Sequence, residues 1–127
     1  MDAETVRAML EQQFEHAGDP ELSHAMYRED AVLEFPQSGE RFEGVENFRE
    51  WRTQYPAQTK FEIGEIRGGG DVWVVELTVT YDEGPKNFGV SVLEFLDDRI
   101  ARETIYVAEG FEAPEWRAKW RAAPQRP

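Results

Sequence analysis

Beyond Phe61 the chain gives up helical periodicity for strict alternation, and this switch limits its architecture more than any other feature. Four alternating runs, Phe61–Arg67, Val72–Tyr81, Lys86–Leu96 and Arg99–Ala108, are joined by Gly68-Gly69-Gly70-Asp71, Asp82–Pro85 and Asp97-Asp98. Connections this short join neighbouring strands as hairpins, so the second half predicts an antiparallel meander. In the second run Trp73, Val75, Leu77, Val79 and Tyr81 share one face, and Val72, Val74, Glu76, Thr78 and Thr80 share the other. The first set, large and aromatic, belongs on the buried side. The second is β-branched with few charges, which suits a surface half covered by a second copy or an ordinary solvated sheet.

The first half reads as helices. Val6, Leu10, Phe14 and Ala17 fall on one helical face, with Met9 and Gln13 beside it and Gly18 as the stop. Asp19-Pro20 restarts a short helix, with Asp19 as its cap, Pro20 in the first turn and Leu22, Ala25 and Met26 as its apolar edge. That helix is expected to end at Tyr27-x-x-Asp30-Ala31. A brief strand, Ala31–Phe35, stops at Pro36; Ser38-Gly39 turns the chain into a second brief strand around Phe42. A third helix presents Val45, Phe48, Trp51 or Arg52, and Tyr55 before Pro56. No internal repeat or linker interrupts the pattern, so 1–127 is expected to be one domain, with a core at 3–110 and a helical tail at 111–127.

A chain of 127 residues with 40% apolar and 13% aromatic residues can bury a core without covalent staples. Cysteine is absent, which excludes disulfides, thiolate metal sites and a cysteine nucleophile. The opening MDAETVRAMLEQQF is an amphipathic helix rather than a signal peptide, and no run approaches the roughly 20 apolar residues of a membrane span. A cytoplasmic protein is the expectation. The net charge of −12 argues against nucleic-acid phosphates and anionic membranes as partners. It is uneven: residues 111–127 carry +2 and the remainder −14. A mildly basic tail on an acidic body suits docking onto that body or onto a partner chain, while the acidity of the body itself serves solubility.

The order of elements in MYREDAVLEFPQSGERFEG, followed by VENFREWRTQYP and the late hairpin VSVLEFLDDRIARETIYVAE, resembles the NTF2-like superfamily and its SnoaL-like branch, which includes polyketide cyclases and ketosteroid isomerases. The resemblance spans residues 3–110 and implies an α+β cone. N-terminal helices would pack on a curved, mainly antiparallel sheet around a pocket, with dimerisation through the convex sheet face. In ketosteroid isomerases the segment matching Tyr27–Pro36 places the proton-abstracting carboxylate just before the proline. Here that residue is Phe35. The isomerase's second pocket carboxylate falls in this register on Phe88, so isomerisation by that mechanism is not expected.

Glu103 is the one charge on the Ala101, Glu103, Ile105 and Val107 face of the last strand, the face that the resemblance turns toward the pocket. A carboxyl among aromatic rings has its pKa raised by desolvation, as a general acid or base requires. The structural alternatives are an ion pair with Arg52 or Arg41, or a bulge that turns it outward. Trp51, Arg52 and Tyr55 belong to the helix over the pocket mouth. Arg52 has the geometry to bind an anion, or to pack its stem on the surface. Tyr27 and Tyr106 are candidate donors to a ligand carbonyl, with Tyr27 also a hinge-packing residue, and Phe35, Trp73 and Phe88 complete the candidate lining. Gln12 and Gln13 are read as surface residues. His16 complements a helix C-terminus, and His24 shows no acid or serine partner at useful spacing. Two isolated histidines make no metal constellation. Gly68-Gly69-Gly70 precedes no helix and is no phosphate loop, and neither Ser38 nor Ser91 sits in a nucleophile elbow.

In the tail, Pro114 opens a short helix with Trp116 and Trp120 one turn apart as an aromatic ridge, to be buried as a lid, a dimer contact or plain packing. Two functions follow as expectations: a cofactor-free, homodimeric binder of a small apolar or amphipathic molecule, or a cofactor-free acid–base enzyme (isomerase, cyclase or dehydratase-like) using Glu103. A protein-binding adaptor that uses Trp116 is a third.

Overall fold

Asp2 starts the first helix by accepting the Thr5 N–H at 2.8 Å. The computed structural model describes residues 1–16 and 18–124; Ala17 and the tail charge Arg126, both used in the sequence reading, lie outside the described residues. α1 (Ala3–Glu15) buries Val6 and Leu10, one turn apart, and Phe14 stacks on Phe61 with ring centroids 4.8 Å apart. Its Arg7 donates to the Gly64 carbonyl at 2.5 Å, which lashes the helix across the third strand. α2 (Pro20–Ser23) is a single turn whose first backbone donors, Glu21 N–H and Leu22 N–H, both reach Asp19 Oδ1.

The second helix does not run to Tyr27 as expected: α2 ends at Ser23, and β1 spans Tyr27–Phe35. The longer strand forms because Ile100 N–H donates to the Met26 carbonyl at 2.8 Å and Tyr27 pairs with Ile100. β2 (Glu40–Glu43) returns antiparallel to β1, and α3 (Val45–Thr53) buries Val45 and Phe48 against it. Tyr55 lies just past α3, which is capped at Gln54.

β3 (Thr59–Gly69), β4 (Val72–Tyr81), β5 (Asn87–Leu96) and β6 (Arg99–Glu109) form the expected meander. Asp82 and Glu83, and likewise Asp97 and Asp98, adopt positive φ at consecutive turn positions, the backbone hand that matches strand twist. The sheet order is β2-β1-β6-β5-β4-β3, antiparallel throughout except that β1 runs parallel to β6. The sheet is therefore mixed, curved and unclosed, with the helices on its concave side. Trp73, Val75 and Val79 point into the core as their alternation requires.

The tail departs from expectation. Glu115–Trp120 is a 3₁₀ helix preceded by Pro114 in an extended conformation, not an α-helix with Pro114 inside it. Arg121 N–H closes the run with an i→i+3 bond to the Ala118 carbonyl at 3.2 Å, as a 3₁₀ turn does. With three residues per turn, Trp116 shares a face with Lys119 and Trp120 with Arg117, so the tryptophans form no single ridge. Both are exposed, at 73% and 68%, rather than packed on their own domain.

Candidate functional site

Glu103 sits on β6 opposite Leu93 of β5 and Leu33 of β1. Plain alternation would put Ile100 on the face opposite to it. Instead the β5–β6 pairing skips Ala101: Phe95 opposes Ile100 while Glu94 opposes Arg102. This bulge turns both Ile100 and Glu103 into the core. It does not turn the carboxylate outward, and Glu103 is only 6% exposed.

Every polar neighbour of that carboxylate comes from a different element. Tyr27 Oη, from β1, donates to Oε1. Ser91 Oγ, from β5, donates to Oε2 at 2.6 Å. Arg52 Nη2, from α3, lies 4.0 Å from Oε1. Arg52 Nη1 also approaches Tyr27 Oη at 3.4 Å and His24 Nε2 at 3.1 Å. A guanidinium can only donate, so His24 Nε2 accepts and its proton sits on Nδ1, aimed at Ser23 Oγ 2.9 Å away. His24 therefore does have partners, brought by the third helix and by its own neighbour. Arg41 instead pairs with Glu43.

The arginine is embedded in rings. Its guanidinium carbon lies 5.5 Å from the Trp51 centroid, 5.7 Å from Tyr27 and 5.9 Å from Phe48, each contact favourable by about 0.5–2 kcal/mol. Burial alone would lower its pKa, but Tyr27 and Glu103 outweigh burial and raise it, so it stays a cation. Burial first, and then the nearby Glu103 charge, push the Tyr27 phenol well above its ordinary value. Because the folded pKa is raised, this group's stabilising contribution is complete below the unfolded tyrosine value of about 10 and is lost as pH rises beyond it. Alkaline titration of the wild type should therefore show a stability loss that begins near pH 10 and is smaller in Tyr27→Phe; equal slopes in the two proteins would contradict this assignment.

A second cluster is wholly aromatic. Phe35 meets Trp51 at 5.9 Å and Phe42 at 6.2 Å, Phe42 meets Trp51 at 5.5 Å, and Trp51 meets Tyr55 at 6.3 Å. Tyr55 reaches Tyr81 of β4 at 5.9 Å, so the rings carry the α3 side of the concave face across to β4. The Tyr81 pKa is raised, first by burial and then by Tyr55. Trp51 Nε1 is buried with no hydrogen-bond partner among the described residues.

Of the residues singled out by sequence, the fold thus gathers Glu103, Tyr27 and Arg52 into one cluster and Phe35, Trp51 and Tyr55 into a neighbouring one. Trp73 stands apart in the core at the β3–β4 turn, where Nε1 donates to the Gly70 carbonyl at 3.0 Å. Phe88 and Tyr106 lie on the outer face, 54% and 45% exposed, away from Glu103. The isomerase register carried to Phe88 therefore lands on a residue of outward parity; its inward neighbours are Asn87 and Gly89, neither a carboxylate. Ser91, His24, Phe42 and Tyr81 were missed as site residues. Inward parity on the strand next to Glu103 is a usable signal for Ser91; for His24 the local one is the adjacent Ser23, while the Arg52 contact depends on where α3 packs.

On the outer face Phe88, Val90, Tyr106 and Ala108 border an open cleft of about 600 Å³, with Glu62 and Glu76 beside them. Among the described residues no group of three His, Asp or Glu side chains could hold a metal ion, and no helix is long and apolar enough to cross a membrane.

A curved sheet cupping helices around an inward polar cluster defines an NTF2-like domain. The chain belongs to the SnoaL-like domain family, whose model matches residues 6–103. It is similar to an NTF2-like protein of unknown function from Burkholderia xenovorans LB400 (35% identity, 95% of this chain and 96% of that one, TM-score 0.85). It is also similar to a protein from Kribbella flavida DSM 17836 proposed to be a ketosteroid isomerase (25% identity, 98% and 94%, TM-score 0.81). An LEH-like epoxide hydrolase of M. tuberculosis shares the fold at 23% identity (83% and 80%, TM-score 0.66). No curated protein matches the chain.

Proposed function

We propose that this protein binds a small apolar or amphipathic molecule against the aromatic wall of Phe35, Phe42, Trp51 and Tyr55, with Glu103 serving as a structural anchor rather than as a proton-transfer group. The observation that carries this reading is the occupancy of the carboxylate. Tyr27 and Ser91 each donate to one of its oxygens, Arg52 lies alongside and the group is only 6% exposed, so a substrate proton has little room to approach it. A general base has to come within hydrogen-bond reach of its proton, and this one is enclosed. The aromatic wall, by contrast, is what an apolar ligand fits. The same reading takes the protein as a homodimer in a cytoplasmic setting, with the outer sheet face between the two copies. In its support, β-branched and aromatic side chains lie on that face, with the Glu34–Arg102–Glu94 ion pairs at its far end.

Titration with the apolar dye 1-anilinonaphthalene-8-sulfonate, followed by dye fluorescence, tests the placement. The expected result is saturable binding that Trp51→Ala weakens about tenfold or more and Glu103→Gln leaves nearly unchanged. Equal binding by wild type and Trp51→Ala would overturn the site. A turnover found by substrate screening and abolished by Glu103→Gln would overturn the non-catalytic role.

A further inference from the structure

Phe111, Trp116 and Trp120 are 83%, 73% and 68% exposed, three large aromatics within ten residues. A cluster of this kind marks an interaction surface. We infer that the segment 111–124 of each chain lies across the outer-face cleft of a second copy, an arm exchange that rests on the homodimer reading above.

Three observations converge on this occupant. The arm is rooted at the cleft: β6 ends at Glu109, directly after the cleft residue Ala108, and at Gly110 an added Cβ would stand only 3.1 Å from the Phe88 ring. Its reach fits. Four extended residues span roughly 13 Å and six 3₁₀ residues about 12 Å more, whereas the cleft crosses β6 to β3, three strand spacings of about 4.8 Å each. Its chemistry fits too. Three-residue spacing puts Trp116 on one face with Lys119 and Trp120 on another with Arg117, and Lys119 Nζ lies 4.5 Å from the Trp120 ring. The cleft sets apolar Phe88, Val90 and Tyr106 beside the carboxylates of Glu62 and Glu76, the latter also 3.4 Å from Arg67, with Lys86 at its border. In the single chain the arm leaves the cleft uncovered and its own rings in solvent, and two copies related by a two-fold axis would cover both at once.

The test uses the full chain and exploits its lack of cysteine. Sedimentation equilibrium should show a wild-type dimer, with a dimer Kd raised at least tenfold in the Trp116→Ala/Trp120→Ala double variant. The exposure of both tryptophans means that the circular dichroism spectrum stays native in shape. Separately purified Ala118→Cys and Thr78→Cys chains, mixed and treated with a short bis-maleimide, should give a covalent heterodimer. An unchanged dimer with no such product, dissociated instead by Phe88→Glu, would overturn the arm exchange and leave the homodimer reading standing. A chain that is monomeric at all concentrations would overturn both.

Discussion

Glu103→Ala should lower the free energy of unfolding by about 3–5 kcal/mol, because it removes a buried carboxylate and leaves the half-buried, ring-enclosed Arg52 cation without it. The loss exceeds that of any exposed pair in the molecule, since surface ion pairs are worth at most about 1 kcal/mol. It also leaves Tyr27 and Ser91 hydroxyls without their acceptor. Changing both members of the pair, Glu103→Leu with Arg52→Met, should recover at least half of the loss. Both charges are then removed together, and a well-packed apolar pair commonly does as well as the ion pair it replaces. Urea unfolding of the wild type, Glu103→Leu, Arg52→Met and the double variant closes the double-mutant cycle. A single variant within 1 kcal/mol of wild type would show that Glu103 is not an anchor. A double variant no better than the single would show that burial of Arg52 was not the cause.

Phe48→Ala should cost about 3–5 kcal/mol by leaving a cavity beneath the same cluster. Phe48 is fully buried, stands edge-on to Tyr27 at 5.5 Å between centroids and lies 5.9 Å from the Arg52 guanidinium. Emptying its site removes the packing that holds both side chains against Glu103. Phe48→Leu keeps most of the volume and should cost less than half as much. Denaturant midpoints at constant m-value decide this, and similar losses in the two variants would mean that the ring's shape rather than its volume matters.

Together these experiments separate scaffold from function. The Glu103 cluster joins β1, β5, β6, α3 and the residues after α2, so its loss is expected first as instability. The aromatic wall contributes less to the core, so its variants should keep the fold and lose the ligand. A protein in which Trp51→Ala destabilised as much as Glu103→Ala would contradict that division.

Features that depend on local spacing were legible in the residues alone. Alternation in Val72–Tyr81 and short turns such as Asp97-Asp98 dictated the meander, since side-chain parity and turn length are properties of a few adjacent residues. The same spacing marked Glu103 as the lone charge on an inward face. Its partners depend on how distant elements pack. Ser91 is 12 residues away, Arg52 and Tyr27 are on distant elements, and His24 gains its acceptor role only because α3 brings Arg52 beside it. The skipped Ala101 likewise leaves no trace in β6 alone, because a bulge exists only relative to the strand that it pairs with. Pairing across the sheet is a long-range choice, settled by the free energy of the whole core rather than by any window of sequence.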